Sequence, residues 1–256
     1  MLLHFKFGKK QQTRLGASLA FLVVATSTIG AVPTPPPKEE QVVIMEDFND
    51  NQNKWSNITT VNDHGSPSIK SVAITKSTWT PSESGPNSTE VASIHSFKGP
   101  INPSTGKISI VFRAKIQSTK SVDAGRFGVA INETSGNQFI RFNVRPGTTG
   151  SIQYRNDAGD LLTRKIDSSR TFLKDTNVYY TYKVTISPAK AKEGPVSAEA
   201  FYFDAAVGEY VSLGSLQSEI PLKTGLFGSL TIFSRNGENG AATFDSILMR
   251  QASDHE

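Results

Sequence analysis

From Val42 onward the chain alternates apolar and polar residues with a period of two, in short runs separated by Gly, Pro, Asn and Ser. Three runs are clearest. Ile108, Ile110, Phe112, Ala114 and Ile116 share one face, opposed by Lys107, Ser109, Arg113 and Lys115. Phe127, Val129 and Ile131 oppose Arg126, Gly128 and Asn132, and Val178, Tyr180, Tyr182, Val184 and Ile186 oppose Tyr179, Thr181, Lys183 and Thr185. The pattern predicts strands near 42–48, 54–60, 69–75, 89–97, 106–117, 126–133, 137–145, 150–156, 160–166, 177–187, 196–204, 209–213, 226–234 and 241–250. No stretch of useful length carries an apolar period of 3.6. Each apolar face must be covered by a second sheet, so the expectation is an all-β, two-sheet antiparallel sandwich of jelly-roll type.

The N-terminus breaks this texture. Lys6, Lys9, Lys10 and Arg14 precede the apolar run Leu15–Ala25, and the small residues Gly30-Ala31 follow. This is a secretory signal pattern, too short in its apolar part for a comfortable membrane span, with cleavage expected after Ala31 or, second, after Ser27. The expected organisation is a signal peptide over 1–31, a Pro-rich linker over 32–41, a sandwich over 42–251 and a tail over 252–256. Four of the 27 basic residues and none of the 23 acidic ones lie in the signal, leaving 23 against 23. The mature chain is formally neutral, so the high pI is no argument for nucleic-acid binding. There is no cysteine, which excludes disulfides, thiolate metal sites, a Cys nucleophile and a lipoprotein anchor. A secreted domain of roughly 210 residues can hold itself together by its core alone, and a bacterial periplasmic or cell-surface setting is expected.

Two blocks carry a family resemblance. Gly225–Arg250 reads as an alternating strand, a loop rich in Gly and Asn, and a closing strand with Phe244-Asp245-Ser246-Ile247; Glu46-Asp47-Phe48-Asn49-Asp50 followed by Trp55 makes the matching start. Together they resemble the concanavalin A-like lectin/glucanase (laminin G-like) superfamily. The resemblance implies a two-sheet jelly roll and a role in extracellular recognition, most often of glycans, but the fold hosts lectins, glucanases, lyases and adhesion modules alike. It also implies a structural calcium ion clipping the N-terminal segment to the last strand, with Asp245 supplying a carboxylate and Asp47 or a nearby backbone carbonyl as its partner.

Enzymatic chemistry finds little footing in the sequence. The Glu-x-Asp-x-Glu run of laminarinase-like glucanases, which sets carboxylates on one strand face, is absent. No Gly-x-Ser-x-Gly elbow occurs, and His64 and His95 have no metal-ligand spacing. Lyase action requires Arg, Asn or Gln to neutralise a uronate and Tyr or His to take its proton. Alternation aims Arg141, Asn143 and Arg145, with Gln153 and Arg155 on the next strand, at one solvent-facing surface, which Arg126 and Asn132 extend. Such a patch suits a carboxylated or sulfated sugar chain. Trp79, in a loop-like stretch, Tyr179 and Phe201 are candidate sugar-stacking rings, while Trp55 is expected in the core. The expected function is non-catalytic polysaccharide binding by a secreted protein; a lyase or hydrolase with an atypical site and an adhesive envelope protein are the alternatives.

Overall fold

The computed structural model of the protein describes residues 40–49, 55–60, 72–75, 78–81, 90–116, 126–135, 139–145, 150–155, 160–166, 178–188, 196–220, 225–235 and 242–252. The expected signal peptide and nearly all of the linker lie outside the described residues. Among the described residues fifteen strands follow in chain order: β1 Glu40–Glu46, β2 Ser56–Thr60, β3 Val72–Thr75, β4 Thr78–Pro81 and β5 Glu90–Ile101. Then come β6 Ile108–Ile116, β7 Phe127–Glu133, β8 Phe139–Val144, β9 Ser151–Arg155 and β10 Leu161–Lys165. The last five are β11 Tyr180–Pro188, β12 Val196–Asp204, β13 Glu209–Ile220, β14 Phe227–Arg235 and β15 Ala242–Ala252. Among the described residues the helical element is one short 3₁₀ turn, Pro103–Thr105, and no helix is long and apolar enough to cross a membrane.

The strands form two antiparallel sheets. An eight-stranded sheet runs β13-β12-β11-β6-β15-β4-β3, with β1 also paired to β15; a seven-stranded sheet runs β10-β9-β8-β7-β14-β5-β2. The closing strand β15 lies between β6 on one side and both β1 and β4 on the other, taking β1 along Ile247–Ala252 and β4 at Phe244. Each strand expected from the alternation has a counterpart. The addition is β4: the stretch around Trp79 is a strand, not a loop. It pairs with β3 from Val72–Pro81 to Thr75–Thr78 and with β15 at Phe244–Trp79, and it ends at Pro81. β1 begins at Glu40, inside the expected linker, and β13 continues to Ile220 rather than ending near 213.

Alternation is obeyed where it was strongest. Ile108, Ile110, Phe112 and Ala114 meet Phe127, Val129, Ile131, Ile140, Phe142 and Val144 in one core between the sheets. Its centre is aromatic: Phe112 lies 6.0 Å from Phe142, and Phe127 lies 5.9 Å from Tyr182 and 6.0 Å from Phe244, centroid to centroid. These tilted and edge-on contacts add about 0.5–1.5 kcal/mol per pair beyond burial itself. Burial, with a smaller push from Tyr180, holds the Tyr182 phenol well above its usual pKa.

The N-terminal block is organised by a carboxylate that sequence pattern did not single out. Glu46 is buried; its Oε1 accepts the Phe48 N–H at 2.7 Å and its Oε2 accepts the Trp55 indole N–H at 2.9 Å. The turn this closes leaves Phe48 at φ 55°, a conformation that costs a non-glycine residue about 1–2 kcal/mol. Complete burial of the Phe48 ring offsets it. Trp55 is in the core, as expected, with the ring of His95 5.5 Å away. His95 faces the interior, as a structural residue.

Candidate functional site

The expected ligand residues fall on two surfaces. Arg141, Asn143, Gln153 and Arg155 share the outer face of the seven-stranded sheet, and Arg126 and Arg145 flank it at the ends of β7 and β8. Tyr179 belongs to the opposite side of the molecule, on the outer face of the eight-stranded sheet. Trp79 sits on β4 of that second sheet; its side chain lies outside the described residues.

On the seven-stranded sheet, register brings one row of side chains across five strands: Thr231, Ala130, Arg141, Gln153 and Thr163. The next row holds Phe233, Gly128, Asn143, Ser151 and Lys165. Because β7 contributes only Gly128 and Ala130 here, the long Arg141 side chain lies back across it. Its guanidinium sits 3.5 Å from the centroid of the Phe233 ring and donates to both oxygens of Glu90, at 3.0 and 2.5 Å. Arg141 Nε donates to Asn143 Oδ1 at 2.9 Å. Asn143 Nδ2 donates to Gln153 Oε1 at 2.9 Å and Ser151 Oγ at 3.2 Å, and Gln153 Nε2 donates to Thr163 Oγ1 at 3.3 Å. Beside this chain, Asn132 Nδ2 donates to Ser229 and Thr231 hydroxyls at 3.0 and 2.8 Å.

This corrects part of the sequence reading. Arg141 and Asn143 lie on the expected face but are not open to solvent: Asn143 is 2% exposed and the Arg141 side chain 17%. Glu90, 51 residues away in sequence, neutralises the arginine, so a free positive cluster for an acidic polymer is not what this face presents. Alternation could place Arg141 on the face; only sheet order could bring Glu90 to it. Gln153 and Thr163 remain reachable, and Arg155 is exposed, its guanidinium 5.2 Å from the Phe139 ring. Arg145 is exposed and Arg126 half-buried.

The calcium pair is likewise engaged by protein. Asp245 Oδ2 accepts from Arg113 Nη1 at 2.8 Å. Asp47 closes a local turn, accepting from the Asn49 backbone N–H at 3.1 Å and from the Asn49 side-chain amide. Calcium takes six to eight oxygens; of the two expected carboxylates, one is engaged by a guanidinium and the other by its own turn. Among the described residues no group of three His, Cys, Asp or Glu could hold a metal ion.

Tyr179 sits in the same Arg113 cluster. Arg113 and the Lys115 ammonium each lie 4.8 Å from its ring centroid. Partial burial, then the Asp245 charge, raise its phenol pKa, with Arg113 opposing.

No protein-family model and no curated protein matches the chain. Solved structures do. The CBM2 module of the evolved Dit of Lactobacillus casei BL23 phage J-1 is 11% identical, with a TM-score of 0.53 over 86% of this chain and 99% of its own. The endo-1,3-β-glucanase of Streptomyces sioyaensis is 11% identical, at 0.53 over 87% of this chain and 100% of its own. The T. cruzi calreticulin globular domain is 13% identical, at 0.51 over 82% and 87%. Likeness at such identities is one of fold: the chain has the concanavalin A-like jelly roll.

Proposed function

We propose that the protein is a secreted, non-catalytic polysaccharide-binding module, acting at a bacterial surface or outside the cell, and that it binds through the outer face of the seven-stranded sheet. One observation carries the reading: the hydrogen-bonded lattice of amides and hydroxyls on that face, Asn132 with Ser229 and Thr231, and Asn143 with Gln153, Ser151 and Thr163 beyond. Groups already fixed by their neighbours lose little freedom when a hydroxyl-rich chain lies on them. Gln153, Thr163 and Arg155 keep donors and acceptors toward solvent, and Phe139 adds a ring beside Arg155. The carbohydrate-binding and glucanase relatives in fold agree with this assignment without deciding it.

The same face argues against catalysis. Glycoside hydrolysis needs two carboxyl groups flanking one bond; among the described strand positions of this face the carboxylate is Glu90, closed by Arg141. β-Elimination needs a Tyr or His base beside the neutralising group, and the described strand positions of this face carry neither. Tyr154 and His95 are both turned to the interior side of their strands.

A glycan array, run beside an assay for new reducing or unsaturated ends, tests the proposal. Binding to at least one polysaccharide is expected, with no new ends, and Gln153→Ala combined with Arg155→Ala is expected to weaken it tenfold or more while the protein remains folded. Unaltered binding by the double variant would move the site elsewhere, and new chain ends would make the protein an enzyme.

A further inference from the structure

The far end of the eight-stranded sheet carries a second constellation, on the opposite side of the sandwich from the face just described. Lys183 on β11 extends its ammonium between two rings, 4.6 Å from the centroid of Phe201 on β12 and 4.0 Å from that of Tyr210 on β13. Phe203, next on the same face of β12, packs edge-on against Tyr210 at 5.4 Å and is 38% exposed. Register explains the meeting: Lys183 pairs with Phe201 and Phe203 with Tyr210, so all four side chains stand on one face of three adjacent strands.

The charge around this cluster is lopsided. Arg113, Arg141 and Arg250 each hold a carboxylate, of Asp245, Glu90 and Glu40; among the described residues Lys183 has no such ion pair. Glu199, the nearest acid along β12, accepts from Ser212 Oγ at 2.7 Å. The two carboxylates of the β12–β13 hairpin belong to the other face. Asp204 and Glu209 pair with each other one position beyond Phe203 and Tyr210, and Asp204 is tied down by Tyr202 Oη at 3.2 Å and Ala206 N at 2.9 Å. Burial against the rings, and after it the charge of Lys107, lower the Lys183 pKa, against a smaller opposing effect of Glu199. The ammonium therefore sits in a partly desolvated, net-positive place with its N–H donors uncommitted to any described carboxylate.

We infer that this end of the sheet is a second binding site, for the carboxylated rings of an acidic polysaccharide: the Lys183 ammonium takes the carboxylate, and the exposed Phe203 ring receives the apolar C–H face of the sugar. An ammonium alone would serve any anion, and a ring alone any apolar surface. Their adjacency, on a rigid sheet face with Phe201 and Tyr210 fixing the lysine's position, selects a ligand that carries a carboxylate on a pyranose. The hairpin beyond is held rigidly too, by Gly208 at φ 74° and its N–H donating to Asp204 O at 2.8 Å, so the Phe203–Tyr210 pair is preformed. The inference does not depend on the reading of the seven-stranded face, and the variants that test the two lie on opposite sides of the molecule.

The test is affinity electrophoresis of the full chain through gels containing polygalacturonate, with neutral dextran as the control polymer. Retardation by polygalacturonate is expected, weakening as salt is raised. Lys183→Gln and Phe203→Ala should each reduce the affinity tenfold or more, while Lys183→Arg and Phe203→Tyr, which keep charge and ring, should stay within about threefold of the parent. Melting curves of all four variants identify any that fail to fold, and the conservative pair then decides. Equal retardation by Lys183→Gln and the parent, loss of affinity in Lys183→Gln but not in Phe203→Ala, or no retardation of the parent by polygalacturonate would each overturn the proposal.

Discussion

Arg141 shows how one side chain can lie on an outer face and still be structural. Its guanidinium covers Phe233, which is 1% exposed, and holds both oxygens of Glu90. Removing one partner would leave the other charge half-desolvated, which costs more than the pair contributes. Glu90→Gln keeps the shape and removes the charge; it is expected to destabilise by about 2–3 kcal/mol, between the exposed and the fully buried case. Urea unfolding reads this as a fall in midpoint at constant slope. The Arg113–Asp245 pair is the contrasting case, with side chains 49% and 28% exposed. Asp245→Asn should cost about 1 kcal/mol or less, a Tm drop of no more than about 2–4 °C. The drop should be the same with calcium as with chelator. A loss that appears only with calcium would establish the ion site that the family resemblance implies.

At the scale of the element, the β7–β8 pair decides how the candidate face is built. β7 crosses it with Gly128 and Ala130, and that low strand is the floor over which Arg141 reaches β14 and β5. Gly128 also has no room for a side chain: a Cβ there would stand 1.8 Å from the Phe142 carbonyl oxygen and 3.2 Å from the Phe233 ring. Gly128→Ala therefore forces β7 and β8 apart at the Gly128–Asn143 register pair. The expected cost is more than about 2 kcal/mol, and hydrogen exchange should show it as faster exchange confined first to β7 and β8. A change within about 0.5 kcal/mol would mean that the strand pair accommodates a methyl group by sliding.

For the whole molecule, the sandwich separates its two outer faces by a continuous core whose sheets stack about 10 Å apart. Among the described residues, the side chains argued from on the two faces share no hydrogen-bond or ion-pair partner, so their energetics are expected to be independent. Combining Arg155→Ala with Lys183→Gln should change stability by the sum of the single effects to within about 0.5 kcal/mol, measured by denaturant unfolding of the four proteins. In binding, each substitution should affect its own polymer and leave the other's affinity as it was. Coupling beyond that would require the core to transmit a shift from one sheet to the other.

Read from the amino acids alone, the period of two in Ile108–Ile116, Phe127–Ile131 and Tyr180–Ile186 was enough to assign strands, faces and the two-sheet class, because side-chain direction along a strand is a local property. The core position of Trp55 and the outward position of Gln153 and Arg155 follow from the same local rule. Partners do not. Glu90 reaches Arg141, Asp245 reaches Arg113, and Phe201 and Tyr210 close on Lys183 only because of strand order and register, which are set by contacts between residues far apart in the chain. β4 belongs to the same class: Thr78–Pro81 has little alternation of its own and is a strand through its pairing with Val72–Thr75 on β3 and with Phe244 on β15. Which face a charge lies on was legible in the sequence; whether it is free to bind was settled by its neighbours across the sheet.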